Sequence, residues 1–106
     1  MKVTIELNPK IDIDEIISAI TNQFDDEILA RYELLETFDS SEDEDDFEKT
    51  MYCWVSESHD NFDEDFNTAF YWNDTFSNTV VKAITAYVKE NRNAIESDYH
   101  EFCEED

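Results

Sequence analysis

The residues best suited to chemistry lie between Asp39 and Asp65, where carboxylates are interleaved with aromatic side chains. Carboxylates at this density can bind a metal ion, transfer protons or attract a cationic surface, and each of these functions makes its own demands on spacing and environment. Only one base, Lys49, lies in the stretch. The carboxylates are Asp39, Glu42, Asp43, Glu44, Asp45, Asp46, Glu48, Glu57, Asp60, Asp63, Glu64 and Asp65.

Calcium binding is the first possibility for such runs of acids. An EF-hand loop needs a glycine at its sixth position and a bidentate glutamate at its twelfth. A loop counted from Asp39 has Glu44 and Thr50 at these positions, and a loop counted from Asp60 has Asp65 at its sixth. The spacing therefore predicts no dedicated calcium site.

Zinc binding would have to use Cys53, His59, His100 and Cys103. The pair His100-x-x-Cys103 has a spacing close to that of known zinc ligands, but Cys53 and His59 lack a closely spaced partner. The pattern favours a buried strand cysteine and two solvated histidines. We predict no metal site and no cofactor.

Catalysis by paired carboxylates, as in glycosidases, needs two acids with separated pKa values in an apolar cleft. The acids of this chain lie among other acids on what the pattern indicates is open surface. The sequence contains no nucleophile elbow, P-loop or metalloprotease helix. We predict that the protein is not an enzyme.

The charge of the whole chain narrows the choice of partner. Seven Lys and Arg residues oppose 29 Asp and Glu residues, which gives a formal net charge of −22. Nucleic-acid affinity comes from cationic contacts to phosphates, and anionic membranes repel such a chain as well. The predicted partner is therefore a basic surface, and many basic surfaces exist to bind DNA.

Aromatic residues distinguish the acidic stretch from an ordinary solvated face, which is the alternative interpretation. High-salt adaptation normally replaces large apolar residues by small ones, whereas this chain has eight Phe, five Tyr and two Trp. Aromatic anchors inside a charged rim are typical of a binding surface. The predicted partner-binding site comprises the twelve carboxylates together with Tyr52, Trp54 and Phe62.

Length and composition predict a single acidic domain, residues 1–106, with enough aromatic and β-branched residues to form a core. We find no apolar run long enough for a transmembrane helix or a signal peptide, so the sequence predicts a cytoplasmic protein. Cys53 and Cys103 are then expected to be free thiols.

The predicted secondary structure has three strands. Residues 2–7 alternate apolar and polar side chains, residues 47–56 place Met51, Cys53 and Val55 on a buried face opposite Tyr52 and Trp54, and residues 66–72 alternate again. The acidic runs 39–46 and 57–65 are predicted to be loops.

Helices are predicted from Asp12, an N-cap, and from Asp74 or Thr75. The first apolar stripe fits either one bent helix or two helices joined at Asp25. The helix from Asp74 or Thr75 is predicted to have a helical extension after a break near Asn91 and Asn93. The predicted fold is α+β, a two-layer domain in the order β-α(α)-β-β-α(α), with helices on one face of a three-stranded antiparallel sheet.

In its small size, extreme acidity and aromatic content the chain resembles the phage-encoded DNA-mimic inhibitors, because regularly spaced carboxylates can imitate DNA phosphates. These proteins block restriction enzymes, CRISPR effectors, uracil-DNA glycosylase or histone-like nucleoid proteins in the host cytoplasm. They share no motif, so the resemblance assigns no individual residues. It implies a role in host takeover or anti-restriction, with a basic DNA-binding host protein as partner and no direct binding to nucleic acid.

Two other functions fit the same charge. An acidic immunity protein that neutralises a basic nuclease toxin would also be small and anionic, and an acidic chaperone for basic proteins is a third possibility. A homodimer is also conceivable, with Tyr71, Phe76 and Tyr87 at an apolar interface.

Overall fold

The structure, a computed structural model, describes residues 12–22, 24 and 26–104. All regular secondary structure in these residues is helical, so the predicted α+β fold is wrong, and the predicted strand 2–7 lies outside the described residues. The α-helices are α1 (Ile13–Ile20), α2 (Glu27–Ser40), α3 (Glu44–Glu57), α4 (Glu64–Trp72), α5 (Asp74–Glu90) and α6 (Arg92–Glu104), and a 3₁₀ turn (His59–Asn61) joins α3 to α4.

Helix α3 replaces the second predicted strand. Its buried residues are Phe47, Met51 and Val55, one per helical turn, while Cys53 is exposed. A spacing of four residues keeps side chains on one face of a helix, and it also keeps them on one face of a strand. The spacing was therefore compatible with both structures, and the exposure of Cys53 and the packing of Trp54 against the core separate them.

Helix α4 replaces the third predicted strand for the same reason. Phe66 and Phe70 are four residues apart, and the helix adds Ala69 to the buried face, whereas a strand would have added Thr68. Thr68 is exposed.

The acidic runs predicted to be loops contain the starts of these two helices. Asp43 Oδ1 accepts a hydrogen bond from Asp46 N at 2.8 Å, and Asp63 Oδ1 accepts one from Phe66 N at 2.8 Å. Each aspartate caps a helix whose first turn is also acidic. Carboxylates there satisfy free N–H groups and interact favourably with the positive end of the helix dipole. Part of the acidity therefore stabilises helix N-termini.

The other helix boundaries agree more closely with the sequence. Asp12 caps α1 as predicted. Asp26 caps α2, so the first apolar stripe forms two helices. Asn73 caps α5, one residue before the predicted caps. Asn91 ends α5, and α6 begins at Arg92, which confirms the predicted break and the helical extension.

The longest helix, α5, lies at the centre and packs against the five other helices. All six α-helices contribute to one hydrophobic core. Helix α2 packs mainly against α6, where the rings of Tyr32 and Tyr99 stack with their centroids 3.6 Å apart. Helix α3 packs on α5 with Phe47 and Met51 fully buried, so its opposite face is left to solvent.

Candidate partner-binding surface

The predicted site residues divide into two acidic groups at opposite ends of α3. The α3 cluster (Glu42–Asp46) surrounds the start of the helix, and the α4 cluster (Asp60 and Asp63–Asp65) follows its end. With 14 residues in α3, the helix separates them by about 20 Å at ~1.5 Å per residue. This distance exceeds the Debye length of about 8 Å at physiological salt, so the two clusters act as separate anionic patches.

The α3 cluster is held by its own backbone. Asp46 Oδ2 accepts a hydrogen bond from Glu42 N at 3.1 Å while Asp43 Oδ1 accepts one from Asp46 N, so the two hydrogen bonds together fix the turn that precedes α3. All five residues of the cluster are exposed. The carboxylates of Glu42, Asp43, Asp45 and Asp46 are in no ion pair among the residues that the structure describes.

Three predicted site residues are instead neutralised by neighbouring helices. Glu44 Oε1 lies 2.6 Å from Lys89 Nζ, and Glu48 Oε2 lies 3.8 Å from Lys82 Nζ, both bases belonging to α5. Asp39 Oδ2 accepts a hydrogen bond from Arg92 Nη2 at 2.7 Å, which joins α2 to α6.

The Asp39–Arg92 pair also affects ionisation. The hydrogen bond from Arg92 to Asp39 and the charge of that carboxylate raise the pKa of Arg92 above its ordinary value. Asp39, Glu44 and Glu48 are therefore less available to a partner than their neighbours.

The α4 cluster is exposed throughout. Asp60 lies 3.1 Å from His59 Nε2, and Asp63 uses Oδ1 for the cap of α4. Glu64 and Asp65 lie in the first turn of that helix. Glu57, also exposed, ends α3 and precedes this cluster.

A stripe of side chains on the solvent side of α3 runs between the clusters. Asp45, Lys49, Tyr52 and Ser56 succeed one another at intervals of three or four residues, which places them on one helical face. Asp45, Lys49 and Tyr52 line a groove of about 290 Å³ between α3 and α5, together with Glu48, Asn78 and Val81.

The aromatic patch comprises the exposed large aromatic side chains of the described residues, namely Tyr52 of α3 and Tyr71 and Trp72 at the end of α4. The Tyr52 ring packs beside Phe70 with centroids 5.0 Å apart, and Tyr71 Oη donates a hydrogen bond to the Ser56 carbonyl at 2.9 Å. Tyr52 and Tyr71 are 43% and 44% exposed, whereas Trp72 is 84% exposed. Exposed tyrosine and tryptophan side chains are frequent at protein contact surfaces.

The three predicted anchors differ in exposure. Tyr52 is exposed as expected, but Trp54 is half-buried and packs against the core, because α3 turns it away from Tyr52 by about 200° at ~100° per residue. Phe62 is half-buried and stacks on Phe66, with centroids 4.1 Å apart. Sequence reasoning placed Tyr71 and Trp72 in a strand and left them out of the site.

The structure also bears on metal binding, on membrane crossing and on the suggested dimer interface. No group of three or more His, Cys, Asp or Glu side chains converges as a metal site in the described part of the chain. None of the described helices is both long enough and apolar enough to cross a bilayer. Phe76, suggested for a dimer interface, is buried in the core and cannot serve there without unfolding α5.

Comparison with known proteins assigns no family. No family model, curated protein or solved structure matches this chain. The function proposed below therefore rests on the charge and shape of the surface around α3.

Proposed function

We propose that this protein binds a basic DNA-binding protein and displaces DNA from it, acting as a non-enzymatic DNA mimic. The observation that carries the proposal is the pair of exposed acidic clusters, about 20 Å apart along α3, with the aromatic patch beside the stripe that joins them. Duplex DNA likewise presents two anionic rows, its phosphate backbones, on either side of a less charged groove.

Electrostatics supports a basic partner. The clusters keep most of their charge, since the described bases of α5 and α6 pair with Asp39, Glu44, Glu48 and Glu96. An anionic surface of this kind attracts a cationic one from a distance and raises the rate of association. It does not attract DNA itself.

The aromatic patch supports a protein partner over a small cation. Exposed tyrosine and tryptophan side chains supply most of the binding energy in many protein interfaces, while the surrounding charges set orientation and selectivity. A metal ion or a polyamine would be bound by the carboxylates alone. The partner is therefore expected to have an apolar pocket beside its basic surface.

The candidate targets are the host proteins blocked by phage-encoded DNA mimics. They include nucleoid-associated proteins, restriction enzymes and CRISPR effectors, all of which hold DNA through basic surfaces. Action on such a target would take place in the cytoplasm of the host cell.

The test measures the displacement of DNA. A labelled duplex is bound to each purified protein of such a panel, and its fluorescence anisotropy reports its release. We expect the acidic protein to lower the anisotropy to that of free DNA for at least one member, and to leave the anisotropy of the duplex alone unchanged. Displacement should weaken as salt is raised, because ionic strength screens the attraction.

Two variants locate the surface. One carries Asp43→Asn, Asp45→Asn and Asp46→Asn, and the other carries Asp63→Asn, Glu64→Gln and Asp65→Asn. Asparagine keeps the helix caps at positions 43 and 63, so folding should be preserved while three charges are lost. A matched control, Glu90→Gln with Glu101→Gln and Glu104→Gln, removes three exposed carboxylates outside both clusters.

We expect at least one cluster variant to need about tenfold more protein for half-displacement than the control, and Trp72→Ala to have a similar effect. Equal losses in all three charge variants would mean that only net charge matters. A partner that binds tightly while still holding its DNA would refute mimicry and favour the immunity-protein function.

A further inference from the structure

A second groove, of about 630 Å³, lies between α1 and the start of α4. Asp14, Glu15 and Ser18 of α1 form one wall, and Phe62 and Asp63 begin the other. The volume is in the range that holds a ligand or a short peptide segment. None of the acids of α1 belonged to the site predicted from the sequence.

A hydrogen bond fixes the distance between the two walls. Asn61 Nδ2 donates to the Ala19 carbonyl at 2.9 Å, and it joins residues that are 42 positions apart. Asn67 Nδ2 donates to the His59 carbonyl at 2.8 Å, which holds the 3₁₀ turn against α4. The groove is therefore formed by anchored backbone on both sides.

The described lining of the groove is negatively charged. It contains three carboxylates, of Asp14, Glu15 and Asp63, and no Lys or Arg is among the described residues that line it. None of the three is in an ion pair within the described ranges 12–22, 24 and 26–104. Arg31 lines a smaller neighbouring groove that also includes Asp14, without pairing with it.

An aromatic surface lies beside these carboxylates. Phe62 is half-buried, lines the groove and stacks on Phe66 with an angle of 10° between the rings. The face of a phenyl ring attracts a cation, and a planar guanidinium can stack on it while its N–H groups bind carboxylates in pairs. An ammonium group is also attracted to the ring, but it can neither stack flat on it nor pair with a carboxylate through two N–H groups, so this combination favours arginine over lysine.

We propose that the groove between α1 and α4 receives an arginine-bearing segment of the basic partner. This inference rests on the proposed function and names the chemistry that one part of the surface recognises. Asp63 belongs to the α4 cluster and also lines this groove, so the proposed surface extends from the α4 cluster to α1. Phe62 would then determine specificity.

The test uses hexa-arginine and hexa-lysine as probes of equal charge, titrated into the ¹⁵N-labelled full chain and followed by NMR at physiological salt. We expect the largest amide shifts in residues 14–22 and 61–66. We also expect hexa-arginine to bind about fivefold more tightly than hexa-lysine, because a guanidinium can stack on the ring and pair with a carboxylate through two N–H groups.

Three variants separate the contributions. The triple change Asp14→Asn, Glu15→Gln and Asp63→Asn should weaken hexa-arginine binding about tenfold more than the control triple at Glu90, Glu101 and Glu104. Phe62→Leu keeps an apolar side chain but removes the ring, so the preference for arginine should fall to the part that comes from the carboxylates.

Shifts spread evenly over all acidic surfaces, equal affinity for the two peptides, or equal losses in the two triple variants would each overturn the inference. These results are independent of DNA displacement. If hexa-arginine maps to the groove and no DNA-binding protein is displaced, the proposed function is wrong and the groove remains an arginine site. If displacement succeeds and the peptides do not discriminate, the groove inference alone is wrong.

Discussion

Replacing each of the two tryptophans by alanine should affect stability to very different extents, although the sequence placed both of them in predicted strands. Trp72 is 84% exposed. With about 250 Å² of surface per tryptophan, its buried part is about 40 Å², or about 1 kcal/mol at ~25 cal/mol per Å². The higher helix propensity of alanine offsets part of this loss, so Trp72→Ala should change the free energy of unfolding by about 0.5 kcal/mol or less.

Trp54 packs against the core between the buried residues Met51 and Val55. Truncation of a buried tryptophan costs about 3–5 kcal/mol, and a half-buried one should lose about 2–3 kcal/mol. A domain of this size has a free energy of unfolding of about 5–15 kcal/mol, so the loss caused by Trp54→Ala is a large fraction of its total stability.

Urea denaturation of both variants should be monitored by circular dichroism, because this signal does not depend on the tryptophan that is removed. Tryptophan fluorescence gives a second readout, because quenching by acrylamide should be much stronger in Trp54→Ala, which retains the exposed Trp72, than in Trp72→Ala. Equal destabilisation of the two variants, or the reverse order, would refute the helical register of α3 and α4 from which the two exposures follow.

Three further predictions concern stability. The melting temperature should rise with added salt up to physiological strength, because the self-repulsion of a chain with net charge −22 is screened; a flat profile would show that the carboxylates are locally compensated. Asp43→Ala should destabilise the protein by about 1 kcal/mol in urea denaturation, since the cap of α3 is lost, whereas Asp43→Asn should not. Burial raises the pKa of Tyr87 above its ordinary value of 10.0, so its contribution to stability is complete below pH 10 and is lost as pH rises through the raised folded-state pKa. Tyr87→Phe should therefore make alkaline unfolding less steep, and an unchanged pH profile would contradict the role assigned to this burial.

The sequence by itself determined the charge and several of the helix ends. The cap at Asp12 and the end of α5 at Asn91 were recognisable because capping depends on side chains close in the chain. The same rule applied to Asp43 and Asp63 would have predicted helices in place of acidic loops. The acidic runs were predicted to be loops, although the favourable interaction of carboxylates with a helix N-terminus is equally local.

The choice between strand and helix at residues 47–56 and 66–72 depended on packing. Apolar residues four apart, such as Phe47 and Met51 or Phe66 and Phe70, share a face in both structures. Aromatic and β-branched enrichment favoured strands, but β-propensity is weak compared with burial in a tertiary context. Both segments bury their apolar faces against α5, which is possible for helices without any neighbouring strand.

Only the tertiary structure decided which carboxylates are neutralised and which are free. The pairs Glu44–Lys89 and Asp39–Arg92 join residues 45 and 53 positions apart, so no local pattern could reveal them. The α1–α4 groove is equally non-local, since it brings Asp14 and Glu15 opposite Phe62 and Asp63. Charge is a property of the residues, whereas a binding surface requires that charges be placed side by side, and packing against α5 places them.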